Sequence, residues 1–249
     1  MAMLRLDKIL SQSGIASRRE AARLIRDGRV IIDGRAAAAG DEKVDPELSE
    51  ILVDGAPVSY RRYCYLMMNK PAGYVSATED RDQKTVLELL SGPLSRMALF
   101  PAGRLDKDTE GLLLLTNDGD WAHRVISPSK NVYKTYYAET EGALEPDDVE
   151  AFSEGIVLRD GLKCLPAGLT ILSSGETSRA LVTIREGKYH QVKRMLAARG
   201  KPVTRLRRIA VGGLKLDETL APGAYRELTP SEREMVFDGS VTFDHNVKK

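Results

Sequence analysis

Asp106 is the residue of this 249-residue chain best placed to do chemistry. It lies in the stretch AGRLDKDTEGLLLLTNDG, residues 102–119, between Arg104 and Lys107. Behind it come Gly111 and the run Leu112 to Leu115, closed by Asn117-Asp118-Gly119. A continuous apolar run bounded by a turn signal suits a strand buried on both faces. The polar loop before it then sits at the mouth of a core strand, where a carboxylate is held rigidly at a surface and can serve as a nucleophile. Other chemistries fit less well. Asp106, Asp108, Glu110 and Gly111 match the start of a calcium-binding loop, but Asn117 stands where its bidentate glutamate belongs, after leucines in place of oxygen ligands. The pair Asp106 and Asp108 could also serve a carboxylate-centred hydrolase.

Several elements must position this loop. Tyr65 to Val75 is an apolar strand, read as an edge strand, running into the turn Pro71-Ala72-Gly73. Thr85 to Leu90 suits one or two helical turns, and Trp121 to Val125 begins a helix. Val132 to Thr140 alternates as a strand, with Lys134, Tyr136 and Ala138 on one side. Pro146 to Gly155 has the proline start and glycine stop of a short helix. After the strand Ala180 to Ile184, the segment Lys188 to Arg208 carries eight basic residues and no acidic ones. A helix from about Gln191 would bury Val192, Met195 and Leu196, leaving Lys193 beside the apolar face and able to reach into a cleft. His190 is assigned a hydrogen-bonding structural role, and His123 a structural one.

The first 35 residues are locally basic. Leu6, Ile9 and Leu10 share one helical face, Gly14 ends that helix, and Ser17 with Glu20 forms a capping box for a second. Ala21, Leu24 and Ile25 face inward. Arg29 leads the strand Val30-Ile31-Ile32 into an Asp33-Gly34 hairpin turn. Helix, cap and strand together build a compact patch from Arg5, Lys8, Arg18, Arg19, Arg23 and Arg29. Such a patch grips phosphates and supplies affinity more than sequence reading. Lys188, Arg194, Arg207 and Arg208 are further candidate RNA contacts in the later basic run. Ser59 to Arg62 is the candidate linker.

These segments resemble two known families. The pattern R-L-D-K-x-L, S-R-x-x-A-x-x-L-I and G-x-V-x-V-D-G is nearly complete in residues 5–34 and resembles the S4 RNA-binding domain; here Val30 stands at the first of its valines and Ile32 replaces the second. The run G-R-L-D-K-D-T-E-G-L-L-L-L-T-N-D-G resembles the signature of RsuA-type pseudouridine synthases, which isomerise a uridine of ribosomal RNA to its C-glycoside. Asn69-Lys70-Pro71-Ala72-Gly73, Lys134-Thr135-Tyr136, the segment Glu186 to Met195, and Leu206 to Leu214 match further motifs of that family. Nearly the whole chain is covered. The departures are small, such as lysine at position 188 where arginine is commoner.

The resemblance implies an α+β fold: an S4-like domain over residues 1–60, then a catalytic domain over residues 63–240 with a mixed, mainly antiparallel sheet and flanking helices. It implies Asp106 as the catalytic aspartate and Lys193 as its partner, since a cation beside a nucleophilic carboxylate stabilises its charge. Tyr136 would stack on the target base, Leu206 would pack behind it, and Arg104 would stand beside or fill the space the flipped base leaves. No group is lost and no redox change occurs, so neither a cofactor nor a metal is expected. The expected partner is ribosomal RNA or a partly assembled subunit, with the protein a monomer. The short tail Ser240 to Lys249 favours a small-subunit target over a large-subunit one. A non-catalytic RNA-binding assembly factor is the reading from a different class.

Composition agrees with a folded, soluble chain. Hydrophobic residues make up 42% and charged residues 29%. The 37 basic and 36 acidic residues leave a net charge of +1, which argues against a protein that coats nucleic acid indiscriminately. No apolar run approaches a membrane span, and MAMLRLDKIL lacks a signal-peptide core. Cys64 and Cys164 form no C-x-x-C pair and are expected as packed thiols, in keeping with a reducing cytoplasm.

Overall fold

The computed structural model describes residues 3–239, so the tail from Ser240 onward lies outside the described residues. The backbone divides into two compact units, Met1–Cys64 with Leu87–Phe100, and Tyr65–Val86 with Pro101–Lys249. Leu87–Phe100, read from sequence as part of the catalytic domain, thus groups with the first unit. Two contacts tie it there. Arg96 Nη1 donates to Ile15 O at 3.0 Å, and Gly14 approaches Pro93 so closely that a Cβ would lie 2.1 Å from the Pro93 oxygen.

The first unit opens with β1 (Leu4–Arg5), α1 (Leu6–Gln12) and α2 (Arg18–Arg26). Ser17 accepts from the Glu20 N–H while the Glu20 carboxylate accepts from the Ser17 N–H, so the expected capping box forms. The short strands β2 (Val30–Ile32), β3 (Arg35–Ala36), β4 (Lys43–Val44), β5 (Ile51–Val53) and β6 (Ala56–Pro57) follow, and β3-β2-β5-β6 form one small sheet. Asp33 and Gly34 both take left-handed backbone angles, φ 49° and 81°, as a two-residue hairpin turn requires. Leu6, Ile9, Leu10, Ala21, Ile25, Val30, Ile32, Ile51 and Val53 make its core.

The second unit is built on β7 (Tyr65–Lys70), β8 (Phe100–Pro101), β9 (Glu110–Thr116), α3 (Gly119–Ile126), β10 (Lys134–Glu141), α4 (Pro146–Glu154), β11 (Gly168–Ser173), β12 (Thr177–Ile184), α5 (Gln191–Ala198), β13 (Val203–Val211), β14 (Leu214–Lys215), β15 (Tyr225–Glu227) and α6 (Pro230–Met235). Its sheet runs β11-β12-β10-β13-β9-β7-β15, with β14 against β13 and β8 against β9. Along that path only the β13–β9 pairing is parallel. The fold is therefore α+β with a mixed, mainly antiparallel sheet flanked by helices. Leu112 to Leu115 are each 0% exposed, so the four-leucine run is the doubly buried strand its composition demands. The strand from Tyr65 is not at an edge: β15 covers its outer side, through the register Tyr225 to Met68. Asp118, expected in a simple turn, instead caps α3 by accepting from the Asp120 and Trp121 N–H groups.

Gly111 marks where the loop becomes strand. Its φ is 102°, and a Cβ there would lie 2.2 Å from the Arg208 oxygen. Only glycine permits both the backbone angle and the close parallel approach of β13.

Candidate active site

The Asp106 loop is pinned from three sides. Ser76 Oγ donates to Leu105 O and accepts from Leu105 N–H, both at 3.0 Å. Gly73 N–H donates to Lys107 O at 2.8 Å. Lys70, with 0% exposure, donates from Nζ to Pro71 O, Lys107 O and Thr109 O at 3.0, 3.2 and 2.8 Å. A lysine at the end of an apolar strand thus closes the loop around its ammonium. Burial pushes Lys70 down to about 8, opposed by the nearby carboxylates of Asp108, Asp106 and Glu110. The Asn69-Lys70-Pro71 segment therefore does more than shape a cleft. It holds the backbone that presents Asp106.

The opposing wall is the start of α5. Glu186 accepts from the Leu165 N–H and from Gln191 Nε2, at 2.9 and 2.7 Å, and pairs with Lys188. Burial raises the Glu186 pKa, but these partners bring it below its ordinary value overall. Gln191 Oε1 accepts from the Lys188 N–H at 2.9 Å, which closes the turn. Val192, Met195 and Leu196 are buried as expected, and Lys193 points off that face with its side chain 21% exposed.

Asp106 is met by two groups of this wall. Lys193 Nζ lies 3.6 Å from Asp106 Oδ2, and His190 Nε2 lies 3.7 Å from Asp106 Oδ1. Lys193 also donates to Asp108, whose carboxyl is held below its ordinary value chiefly by that hydrogen bond. His190 was given only a structural role by sequence; its ring is in fact beside the candidate nucleophile. The signal for it is backbone: His190 takes φ 48°, ψ 36°, and so turns its ring toward the loop.

The remaining substrate candidates occupy the sheet and the loop. Tyr136 on β10 pairs in register with Arg208 on β13, which pairs with Gly111 on β9. Leu206 pairs with Ala138, so Tyr136 and Leu206 lie on one face of neighbouring strands, 8% and 5% exposed. Arg104 is exposed on the Asp106 loop. Lys134, next on the Tyr136 face, donates to Val132 O at 2.7 Å and is pushed by burial down to about 8.

The candidate RNA contacts divide. Arg18 and Arg19 are exposed on α2, and Lys8 is half-buried on α1. Arg5, Arg23 and Arg29 are exposed but engaged with Asp7, Asp27 and Asp54. Lys188 and Arg194 are paired with Glu186 and Asp160, and Arg207 is half-buried. Arg208 is a correction. It is 3% exposed and donates from Nε to Leu112 O at 2.7 Å, because β13 lies inside the sheet; it cannot reach a phosphate backbone. The basic run Lys188 to Arg208 is also less bare than it reads, since Asp108, Asp148 and Glu110 pair with Lys193, Arg199 and Arg205.

Among the described residues no group of three or more His, Cys, Asp or Glu could hold a metal ion, and no helix is long and apolar enough to cross a membrane. Cys64 and Cys164 are buried and neither is in a disulfide.

Comparison with known proteins identifies the family. Residues 64–198 match the family model described as RNA pseudouridylate synthase, and residues 4–48 match the S4 domain. The chain is 47% identical to the uncharacterized RNA pseudouridine synthase YtzG of Bacillus subtilis, over 94% of this chain and 98% of that one. It is 42% identical to ribosomal small subunit pseudouridine synthase A of Escherichia coli K12, over 92% of this chain and 98% of the relative. A crystal structure of a pseudouridylate synthase superposes with a TM-score of 0.66 at 39% identity, covering 94% of this chain and 99% of the other.

Proposed function

The chain belongs to the RNA pseudouridylate synthase family and carries an S4 domain ahead of its catalytic region, and we propose that it isomerises a uridine of small-subunit ribosomal RNA to pseudouridine with Asp106 as nucleophile. One observation carries the assignment of the nucleophile. Asp106 stands on a loop held at its backbone by Lys70 and Ser76, with a cation and an imidazole 3.6 and 3.7 Å from its two carboxylate oxygens.

The chemistry follows from those positions. A uridine stacked in RNA is out of reach, so the target leaves its stack and enters the cleft. Tyr136 offers an aromatic face for the uracil, Leu206 packs behind it, and Arg104 occupies the vacated space. Asp106 supplies the electron pair that opens the isomerisation and takes it back as C5 bonds to C1′, which regenerates the carboxylate. The N1–C1′ bond breaks, the uracil turns, and C5 bonds to C1′. C5 then gives up its proton to solvent while N1 takes one up, so atoms balance and no redox partner enters. Lys193 stabilises the Asp106 charge before attack. The S4 unit supplies phosphate contacts through Arg18 and Arg19, which set affinity and not base choice. Cytoplasmic action fits this reading, since the buried cysteines Cys64 and Cys164, neither in a disulfide, suit a reducing compartment.

The test is release of tritium from C5-labelled uridine in ribosomal RNA, with wild type beside Asp106→Asn. Release by the wild type and none by a variant that still binds RNA is the expected result. No release by the wild type, on free RNA and on partly assembled small subunits alike, would instead make the protein an RNA-binding assembly factor.

A further inference from the structure

Tyr189 is a large aromatic side chain left in solvent, 72% exposed, immediately before the His190 that faces Asp106. The two rings are stacked, with centroids 3.8 Å apart and planes at 17°. Neighbouring side chains of an extended segment point to opposite sides, so such a stack needs a kinked backbone. The left-handed His190 supplies it, and a non-glycine residue held there is strained. The kink is maintained from both ends. Arg194 N–H donates to His190 O at 2.9 Å, Arg194 Nη1 donates to Tyr189 O at 3.3 Å, and Gln191 N–H returns to Lys188 O at 3.2 Å. Strained conformations held this firmly cluster at ligand clamps and active sites.

The product is a two-ring column that starts at the Asp106 carboxylate and ends in an open aromatic face. One side of the Tyr189 ring is covered by His190; its exposure leaves the other to solvent. Packing does not explain the ring, because nothing buries it. A planar partner at stacking distance would continue the column; the neighbouring cations Lys188, Lys193 and Arg194 are already paired with Glu186, with Asp106 and Asp108, and with Asp160, so the open aromatic face is what this surface offers a partner.

We infer that Tyr189 and His190 form a stacking platform for an unpaired nucleobase of the RNA, one that flanks the uridine presented to Asp106. This rests on the reading of the chain as a uridine-modifying enzyme. The platform helps to hold the RNA open beside the flipped target and accepts any base, since every base has a π face. It contributes to binding of RNA and not to bond breaking.

Because Tyr189 is exposed, its variants should fold. On small-subunit ribosomal RNA, Tyr189→Ala and Tyr189→Leu should raise KM about tenfold, within the range set by base–aromatic stacking, with the loss falling on KM and not on kcat. Tyr189→Phe and Tyr189→Trp should restore KM, since they keep the ring. The only native tryptophan, Trp121, is 6% exposed, so the fluorescence of the Tyr189→Trp variant reports the new position. That fluorescence should be quenched on adding the RNA, and equally so with Asp106→Asn in the same chain. An unchanged KM in Tyr189→Ala, or no quenching by an RNA that binds, would overturn the platform and point to a protein of the subunit as the partner of this face. Failure of the wild type to release tritium, with quenching intact, would instead strike the enzymatic reading and leave the platform standing.

Discussion

Lys193 is closer to Asp108 than to Asp106: its ammonium lies 2.5 Å from Asp108 Oδ1 and 3.6 Å from Asp106 Oδ2. Asp108 is thus the residue that anchors the cation beside the nucleophile. Its side chain is 73% exposed, so the pair adds under about 1 kcal/mol to stability. Asp108→Asn should leave the melting temperature nearly unchanged and lower kcat about tenfold, the cost of a misplaced charge-stabilising group. The check is a double-mutant cycle. If Asp108 acts through Lys193, Asp108→Asn lowers activity no further once Lys193→Met is present.

Lys70 holds the loop from inside. Lys70→Met removes three hydrogen bonds to the backbone around Asp106 and should lower kcat on the order of tenfold to a hundredfold, since small misplacements of a reacting group are costly. A pH signature accompanies it. The folded lysine titrates at about 8 and the unfolded one at 10.5, so between these values the unfolded chain binds more protons. Lys70 therefore makes stability rise with pH across that window. Urea unfolding followed from pH 7.5 to 10 should show a shallower rise in Lys70→Met.

Gly111→Ala should be among the most damaging single changes in the second unit. The added methyl meets the Arg208 backbone at 2.2 Å and at a φ of 102°, and neither strand can move aside within the sheet. The expected cost is about 3 kcal/mol or more, read as a lower urea midpoint, with loss of activity at temperatures where the chain still folds.

Arg226 gathers Asp217 and Glu232 at 2.6 and 2.7 Å. Both carboxyls are held down at about 2, Glu232 chiefly by Arg226, Asp217 first by the Thr219 hydroxyl and then by Arg226. Their stabilisation is complete above the ordinary carboxylate range and is lost as pH falls toward 2. Arg226→Met should melt a few degrees below the wild type at pH 7. The gap should narrow between pH 4.5 and pH 2.5, and a constant gap would exclude a charge-dependent role.

Arg18 and Arg19 are exposed on a helix of the S4 unit. Replacing both with alanine should weaken RNA binding and reduce the slope of log affinity against log salt by about one to two. Equal affinity across a salt titration would remove that helix from the RNA surface.

Local rules made much of this protein legible from its residues. The Leu112–Leu115 strand, the Ser17–Glu20 capping box, the Asp33-Gly34 turn and the helix from Gln191 each follow from neighbours a few positions apart, and the structure holds all four. The loop that bears Asp106, and the approach of Lys193 to it, were also readable from motif and helical phase. Charge was not. The run from Lys188 to Arg208 reads as unbroken positive charge, yet its partners Asp108 and Glu110 lie 85 and 95 residues away, and an ion pair has no signature at that separation. Nor could sequence show that Arg208 is buried, because which face of β13 meets solvent depends on its neighbours β10 and β9. The same holds for Lys70, whose ammonium finds its carbonyls only once the loop folds back over β7, and for His190, whose ring reaches Asp106 through one left-handed residue. Local propensity chose the elements; the closing of the sheet decided which side chains share a site.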